Sequence, residues 1–271
     1  MNSKQIMAMV LAGCIILLAG CSGPQNANDN IIRVGANASP HAEILRQAQG
    51  MMAQRGYTLE IIEYSDYIQP NLALDSRELD ANYFQHEPYL ERFNEERGTD
   101  LTAIAAIHYE LFGVYGGKTK SLDELKTGAV IAVPNDTTNE ARALMLLEEL
   151  GLIRLKEGSG MLATTQDIEE NMGQYEILEL EAAQIPRSLR DVDLAVMNGN
   201  YALAAGLSIR KDALAKEDEL RGAVETYANI LAAKAGEEAN PGIQALAEIL
   251  KSEEIQTFIE ENYGGNVLPV Y

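Results

Sequence analysis

The chain has no tryptophan, four phenylalanines, three histidines and two cysteines, and its 41 acidic residues outnumber 21 basic ones. Each shortage removes a class of function. A net charge of −20 repels phosphate, which excludes a nucleic-acid binder and argues against electrostatic adhesion to anionic lipid headgroups. His41, His86 and His108 show neither HxxxH nor HExxH spacing, so no hydrolytic metal motif is present. Beyond the N-terminus, no apolar stretch approaches the roughly 20 residues of a transmembrane helix.

The most informative feature that is present is Cys21. A charged start at Lys4 and an apolar run from Ile6 to Ala19 lead into Leu18-Ala19-Gly20-Cys21. The run suits a secretory signal and is short for a bilayer span. Small residues before a cysteine are what a lipoprotein signal peptidase needs, so residues 1–20 read as a signal peptide and Cys21 as the lipidated residue. Leu11-Ala12-Gly13-Cys14 repeats the pattern, but the apolar run before it is too short. Residues 22–30 are polar and turn-rich and read as a flexible tether. Cleavage removes Lys4, taking the charge from −20 to −21, and leaves acylated Cys21 without a disulfide partner. The mature body, about 250 residues long, is large enough for two cores.

Along that body, short apolar strand patterns alternate with helix-period segments, the mark of an α/β protein. Strands are predicted at 31–36, 57–62, 79–84, 101–107, 130–133, 175–180, 192–197 and 227–232. Helices are predicted over 40–54 and 66–77 and from Pro88. Ser121–Glu124 and Thr137–Glu140 match the capping-box pattern, and Ala143, Leu144, Leu146, Leu147 and Leu150 continue an apolar helix face behind the second. Asn240-Pro241 reads as an N-cap and first helical position, and Ser252 as a restart before Gly264-Gly265. Two α/β units on a lipid leash suggest a clamshell that closes on a small molecule.

Four stretches carry chemistry, three of them at predicted strand ends, where α/β proteins bind ligands. Asn82–Tyr89 places four rings in eight residues and suits an aliphatic or thioether side chain. One of Tyr83 and Phe84 belongs to the core, because adjacent strand residues face opposite ways. Pro134–Arg142 runs from a strand into a helix, with Asn139 and Arg142 on one face, and Arg can grip a carboxylate with two parallel hydrogen bonds. Met197–Tyr201 and Tyr227–Ile230 contribute Asn198 and Asn229, whose amides offer both donor and acceptor. By spacing alone, each of these stretches is equally an ordinary turn, cap or strand end.

Taken together the stretches are specific. Asp66-Tyr67 with Pro70-Asn71, Asn82–Tyr89, Ser121–Leu125, Pro134–Arg142, Ala183–Arg187, Asn198–Tyr201 and Tyr227–Ile230 closely resemble the methionine-binding lipoproteins of bacterial ABC importers, the NlpA lipoprotein family. The resemblance implies a type II periplasmic-binding-protein clamshell with two α/β lobes and a ligand cleft between them. Lobe I would comprise 31–112 and 231–271, and lobe II 113–230. It further implies a monomer that is no enzyme and holds no cofactor or metal. The protein would be lipid-anchored through Cys21, facing the periplasm or cell exterior, and would pass L-methionine, or D-methionine, to an ABC permease and its ATPase. Carried over by position, Tyr67, Phe84, His86 and Tyr89 would form the side-chain pocket. Asn139 and Arg142 would hold the carboxylate, with Asn198 and Asn229 completing the polar end.

The chain departs from the family pattern at Glu87, where lysine is usual, and at Thr137, Leu111 and Thr226, where proline is common. His41, in a strand-end loop, is read either as touching ligand or as capping a helix. Three other readings stay open: a receptor for another small amino acid or a methionine dipeptide, a surface adhesin without a transport role, and an enzyme on the same scaffold. The last would need an acid/base pair in the cleft, and His86 and Glu87 have no evident partner.

Overall fold

The computed structural model describes residues 30–217 and 222–270. The expected signal peptide, the expected lipidation site at Cys21 and nearly all of the expected tether lie outside the described residues. Thirteen strands are present among them: β1 (Ile31–Asn37), β2 (Thr58–Tyr64), β3 (Ala81–His86), β4 (Leu101–Glu110), β5 (Gly113–Gly116), β6 (Val130–Pro134), β7 (Ile153–Leu155), β8 (Ile168–Asn171), β9 (Glu176–Leu180), β10 (Leu194–Met197), β11 (Ala213–Lys216), β12 (Ala228–Lys234) and β13 (Val267–Pro269). They form a six-stranded sheet of order β13-β4-β12-β3-β1-β2, a five-stranded sheet of order β11-β5-β10-β6-β9, and the small β7-β8 pair.

The two large sheets share one plan. In each, the strand by which the chain enters from the other sheet is inserted antiparallel between two strands that belong to that sheet. β12 lies between β3 and β4, and β5 lies between β10 and β11. The chain crosses from the first sheet to the second between Glu110 and Gly113 and returns between Lys216 and Ala228. Each sheet has its own apolar core. Val34, Ile44, Leu45, Tyr83, Leu246 and Ile259 anchor the first, and Ile131, Leu144, Leu147, Leu194 and Val196 the second. The result is two α/β lobes linked by two crossings.

The major helices are α1 (Glu43–Gln54), α2 (Gln69–Asp75), α3 (Glu87–Arg97), α4 (Thr137–Glu149), α5 (Gly199–Ala204), α6 (Pro241–Leu250) and α7 (Glu253–Tyr263). Asn240 caps α6 as its sequence predicts, its side chain accepting from the N–H groups of Gly242 and Ile243. The two predicted capping boxes do not form. Asp136, one residue earlier, is the N-cap of α4, with Oδ1 accepting from Asn139 N at 3.0 Å. Asp supplies the same acceptor as Thr, and Glu140 instead receives Thr165 N at 2.9 Å. At Ser121 the chain makes only a three-residue 3₁₀ turn with no side-chain cap. The strands that sequence patterning missed (β5, β7, β8, β11 and β13) are three or four residues long, too short to show a period. Among the described residues, no helix is long and apolar enough to cross a membrane.

Candidate functional site

The ring-rich segment lies where β3 runs into α3. Tyr83 and Phe84 point to opposite faces of β3: Tyr83 enters the core of the first lobe, while Phe84 clusters with Tyr89, Phe93 and Tyr67. Ring centroids are 5.7 Å apart for Tyr67–Phe84, 5.8 Å for Tyr67–Tyr89 and 6.2 Å for Phe84–Tyr89, the range of favourable offset and edge contacts. Hydroxyl bonds fix the wall. Tyr89 donates to Tyr67 O at 3.1 Å and Tyr67 to Asn200 Oδ1 at 2.6 Å. His86 is the N-cap of α3, its Nδ1 accepting from Tyr89 N at 3.2 Å. The proton therefore sits on Nε2, which faces Asn139 Oδ1 at 3.3 Å. Burial first, and the Arg142 charge second, lower the His86 pKa to about 3. The ring is a neutral donor.

The second lobe supplies the polar end. Asp136, capping α4, also takes Asn139 Nδ2 at 2.8 Å, and Asn139 Oδ1 receives Asn198 Nδ2 at 2.7 Å. Asn139 is thus engaged within the protein at both ends of its amide and holds its neighbours in place. Asn198 Oδ1 is buried and has no partner among the described residues. Arg142, one turn further along α4, donates from Nε to Glu217 Oε2 at 2.9 Å, from Nη2 to Glu217 Oε1, and from Nη2 to Glu110 O at 3.2 Å. Its guanidinium lies 4.2 Å from the Tyr227 ring centre and 4.6 Å from that of Phe112. Burial alone would lower the Arg142 pKa, but the adjacent Glu217 outweighs it and the group is held charged. Asn229, on β12, accepts from His41 Nε2 at 2.9 Å.

All eight residues predicted for the site, Tyr67, Phe84, His86, Tyr89, Asn139, Arg142, Asn198 and Asn229, border one cavity. Contacts order it from end to end: the ring cluster touches His86, His86 lies 5.1 Å from Tyr227, and Tyr227 covers Arg142. Both lobes contribute, and hydrogen bonds span the cleft at Tyr67–Asn200, His86–Asn139 and Asn200–Asn37. The lining offers a cation, hydrogen-bonding amides and a carboxylate at one end and an apolar ring cluster at the other.

The residues predicted from sequence do not include Gln85, Glu110, Gly199 and Asn200, which also line it. Glu110 is the last residue of β4, on the same strand face as His108 two positions earlier. His108 Nε2 donates to Glu110 Oε1 at 2.9 Å, and His41 Nε2 lies 3.3 Å from the same oxygen. Tyr83 donates to His108 Nδ1, so the tautomer is set along the whole chain of bonds. His41, left undecided by sequence, stands behind the cavity wall. These three residues are the one group among the described residues whose donor atoms lie close enough to share a metal ion. Both imidazole Nε2 atoms are engaged here in hydrogen bonds with acceptor oxygens. Burial lowers His41 to about 4 and His108 to about 3, so both remain neutral. Burial also raises the Glu110 pKa, against the opposing pull of His41, Asn200 N–H and Arg142.

Gly199 permits this packing. A Cβ there would lie 2.8 Å from Glu110 Cβ and 3.0 Å from Leu111 O, and neither the buried crossing backbone at Leu111 nor a buried Cβ can give way cheaply. Gly199→Ala is expected to cost about 1–3 kcal/mol, read as a lower melting temperature with weaker ligand binding. An unchanged melting curve would refute the tight contact.

Comparison with known proteins agrees with this architecture. The family model for NlpA lipoprotein matches residues 32–271. The methionine-binding lipoprotein MetQ of Bacillus subtilis is 37% identical over 268 residues, covering 97% of this chain and 96% of the relative. Among solved structures, a lipoprotein from Ruminococcus gnavus superposes with a TM-score of 0.88 at 55% identity, covering 89% of this chain and 100% of the other. A nutrient-binding protein from Burkholderia cenocepacia, determined bound to methionine, superposes with a TM-score of 0.84 at 43% identity, with coverage of 89% and 100%.

Proposed function

Because the chain belongs to the NlpA lipoprotein family, whose fold is the two-lobed type II periplasmic-binding-protein clamshell, we propose that it is the methionine receptor of an ABC importer. It is a binding protein that performs no chemistry on its ligand. It is anchored outside the membrane through Cys21 and acts as a monomer, handing its cargo to a permease driven by an ATPase. Lobe I is read as 31–112 with 231–271 and lobe II as 113–230, except that residues 228–230 open β12 and pair within the first sheet.

The observation that carries this reading is the single cavity that joins four rings and a buried arginine drawn from distant stretches of sequence. Tyr67, Phe84 and Tyr89, with the edge of His86, surround the thioether, for which sulfur–aromatic contacts add to burial. Arg142 holds the carboxylate. Asn198 Oδ1, the unpartnered buried acceptor, and Glu110 take the ammonium group, with Asn229 beside them. Asn139 orients His86 and Asn198.

A second, more open cleft adjoins the site at Tyr67 and Tyr89. A dipeptide extended at its carboxyl end would need room beyond Arg142 instead, where Glu217 is packed. This favours the free amino acid.

The direct test is mass spectrometry of small molecules released on denaturing the purified protein. Methionine is the expected release, and stoichiometric release of a different compound would overturn the reading. If the rings select a thioether, Tyr89→Ala weakens methionine about tenfold and leucine by less, measured calorimetrically. Equal losses would show a generic apolar wall.

A further inference from the structure

Arg142 is surrounded by the two segments through which the chain passes between its sheets. Phe112 lies in the outward crossing, Tyr227 and Glu217 in the return. Glu217, a buried carboxylate just after β11, is the only described residue that bonds the guanidinium by two separate nitrogens. Glu217 is itself fixed from the opposite crossing: its Oε1 accepts from Phe112 N at 2.9 Å and from the Tyr109 hydroxyl. The bonds to Glu217 and Glu110 engage Nε and Nη2 of Arg142 and not Nη1.

We infer that Glu217 is the positioning residue for the ligand's carboxylate, clamping Arg142 through Nε and Nη2 so that Nη1 is presented to the cavity at a fixed angle. The inference rests on the amino-acid-receptor reading above. Two physical points support it. The Arg142–Glu217 pair cancels in charge, so carboxylate selectivity must come from oriented donors rather than from a net positive field. And the clamp joins the outward crossing to the return, so grip on the carboxylate is mechanically continuous with the segments that must hold still when the lobes close.

The test uses the full chain in detergent, stripped of ligand by unfolding and refolding, with methionine binding to the wild type measured first. Absence of that binding would undo the receptor reading and not this one. Two variants then follow, each confirmed folded by its melting curve. Glu217→Gln keeps the size but puts an amide donor against N–H groups. Glu217→Asp keeps the charge but withdraws the oxygens. Positioning predicts that both lose at least tenfold in methionine affinity. It also predicts that methioninamide, which lacks the carboxylate, loses less than threefold by competition with labelled methionine. Three results would overturn it: methionine affinity within threefold of wild type in Glu217→Gln, equal losses for methionine and its amide, or an aspartate variant that binds like wild type. The last would reduce Glu217 to a counter-charge. Where the amide is too weak to measure on the wild type, the aspartate result decides.

Discussion

Replacing Arg142 with alanine abolishes methionine binding. The guanidinium is the one cation among the described residues that line the cavity, and a buried charge-assisted pair broken on one side costs about 3–5 kcal/mol, which is a loss of a hundredfold or more. The same substitution leaves Glu217 buried without its partner. That carboxylate keeps the Phe112 N–H and the Tyr109 hydroxyl, which temper the penalty. The double variant Arg142→Ala/Glu217→Gln removes the stranded charge, so a folded double variant that still fails to bind separates recognition from stability. Calorimetric affinity within tenfold of wild type in either folded protein would refute the assignment of Arg142.

Glu110→Gln is expected to have the second largest effect. The variant conserves shape but loses the negative charge that faces the ligand's ammonium group, and methionine affinity falls by about a hundredfold, in line with the cost of a buried charge-assisted bond. The des-amino analogue of methionine should be unaffected. Equal losses for both ligands would mean that Glu110 serves only to pack β4 against α5. The wild type gives an independent reading through pH. Glu110 has its pKa raised by burial in the ligand-free protein, so on acidification it takes a proton at a higher pH than an ordinary glutamate. A protonated Glu110 cannot offer a full negative charge, and the ammonium must then displace that proton. Methionine affinity therefore declines as pH falls, beginning above the usual carboxylate range, and Glu110→Gln flattens that part of the profile.

The sequence made the polar and ring-bearing stretches legible because each sits at a strand end and keeps its chemistry within a few residues. Asn82–Tyr89 and Pro134–Arg142 needed only the alternation of a strand and the spacing of a helix to be placed on the correct faces. Their convergence was not readable from spacing. It came from resemblance, and the fold accounts for it by bringing β3, α4, the start of α5 and β12 to one cleft. Glu110 escaped notice because its partners are distant in sequence: His108 is near, but His41 arrives from the loop after β1, and Asn200 from the other lobe. The three histidines look scattered as a string, yet two of them meet behind one carboxylate. Glu217 was invisible for a similar reason. It follows the short, weakly patterned β11, and only the two crossings bring it to Arg142. The misplaced helix cap was a smaller error of one residue. Asp136 and Thr137 are both good N-cap residues, and the backbone chose the first.

The central claim is that the cleft of this protein is a methionine site. The measurement that tests it most directly is calorimetric titration of the refolded, ligand-stripped protein with L-methionine, with D-methionine, leucine and a methionine dipeptide in parallel. Saturable one-to-one binding of methionine, tighter than leucine and the dipeptide, is the predicted result. A folded sample that gives no heat with methionine, or that binds leucine or the dipeptide more tightly, would contradict the account.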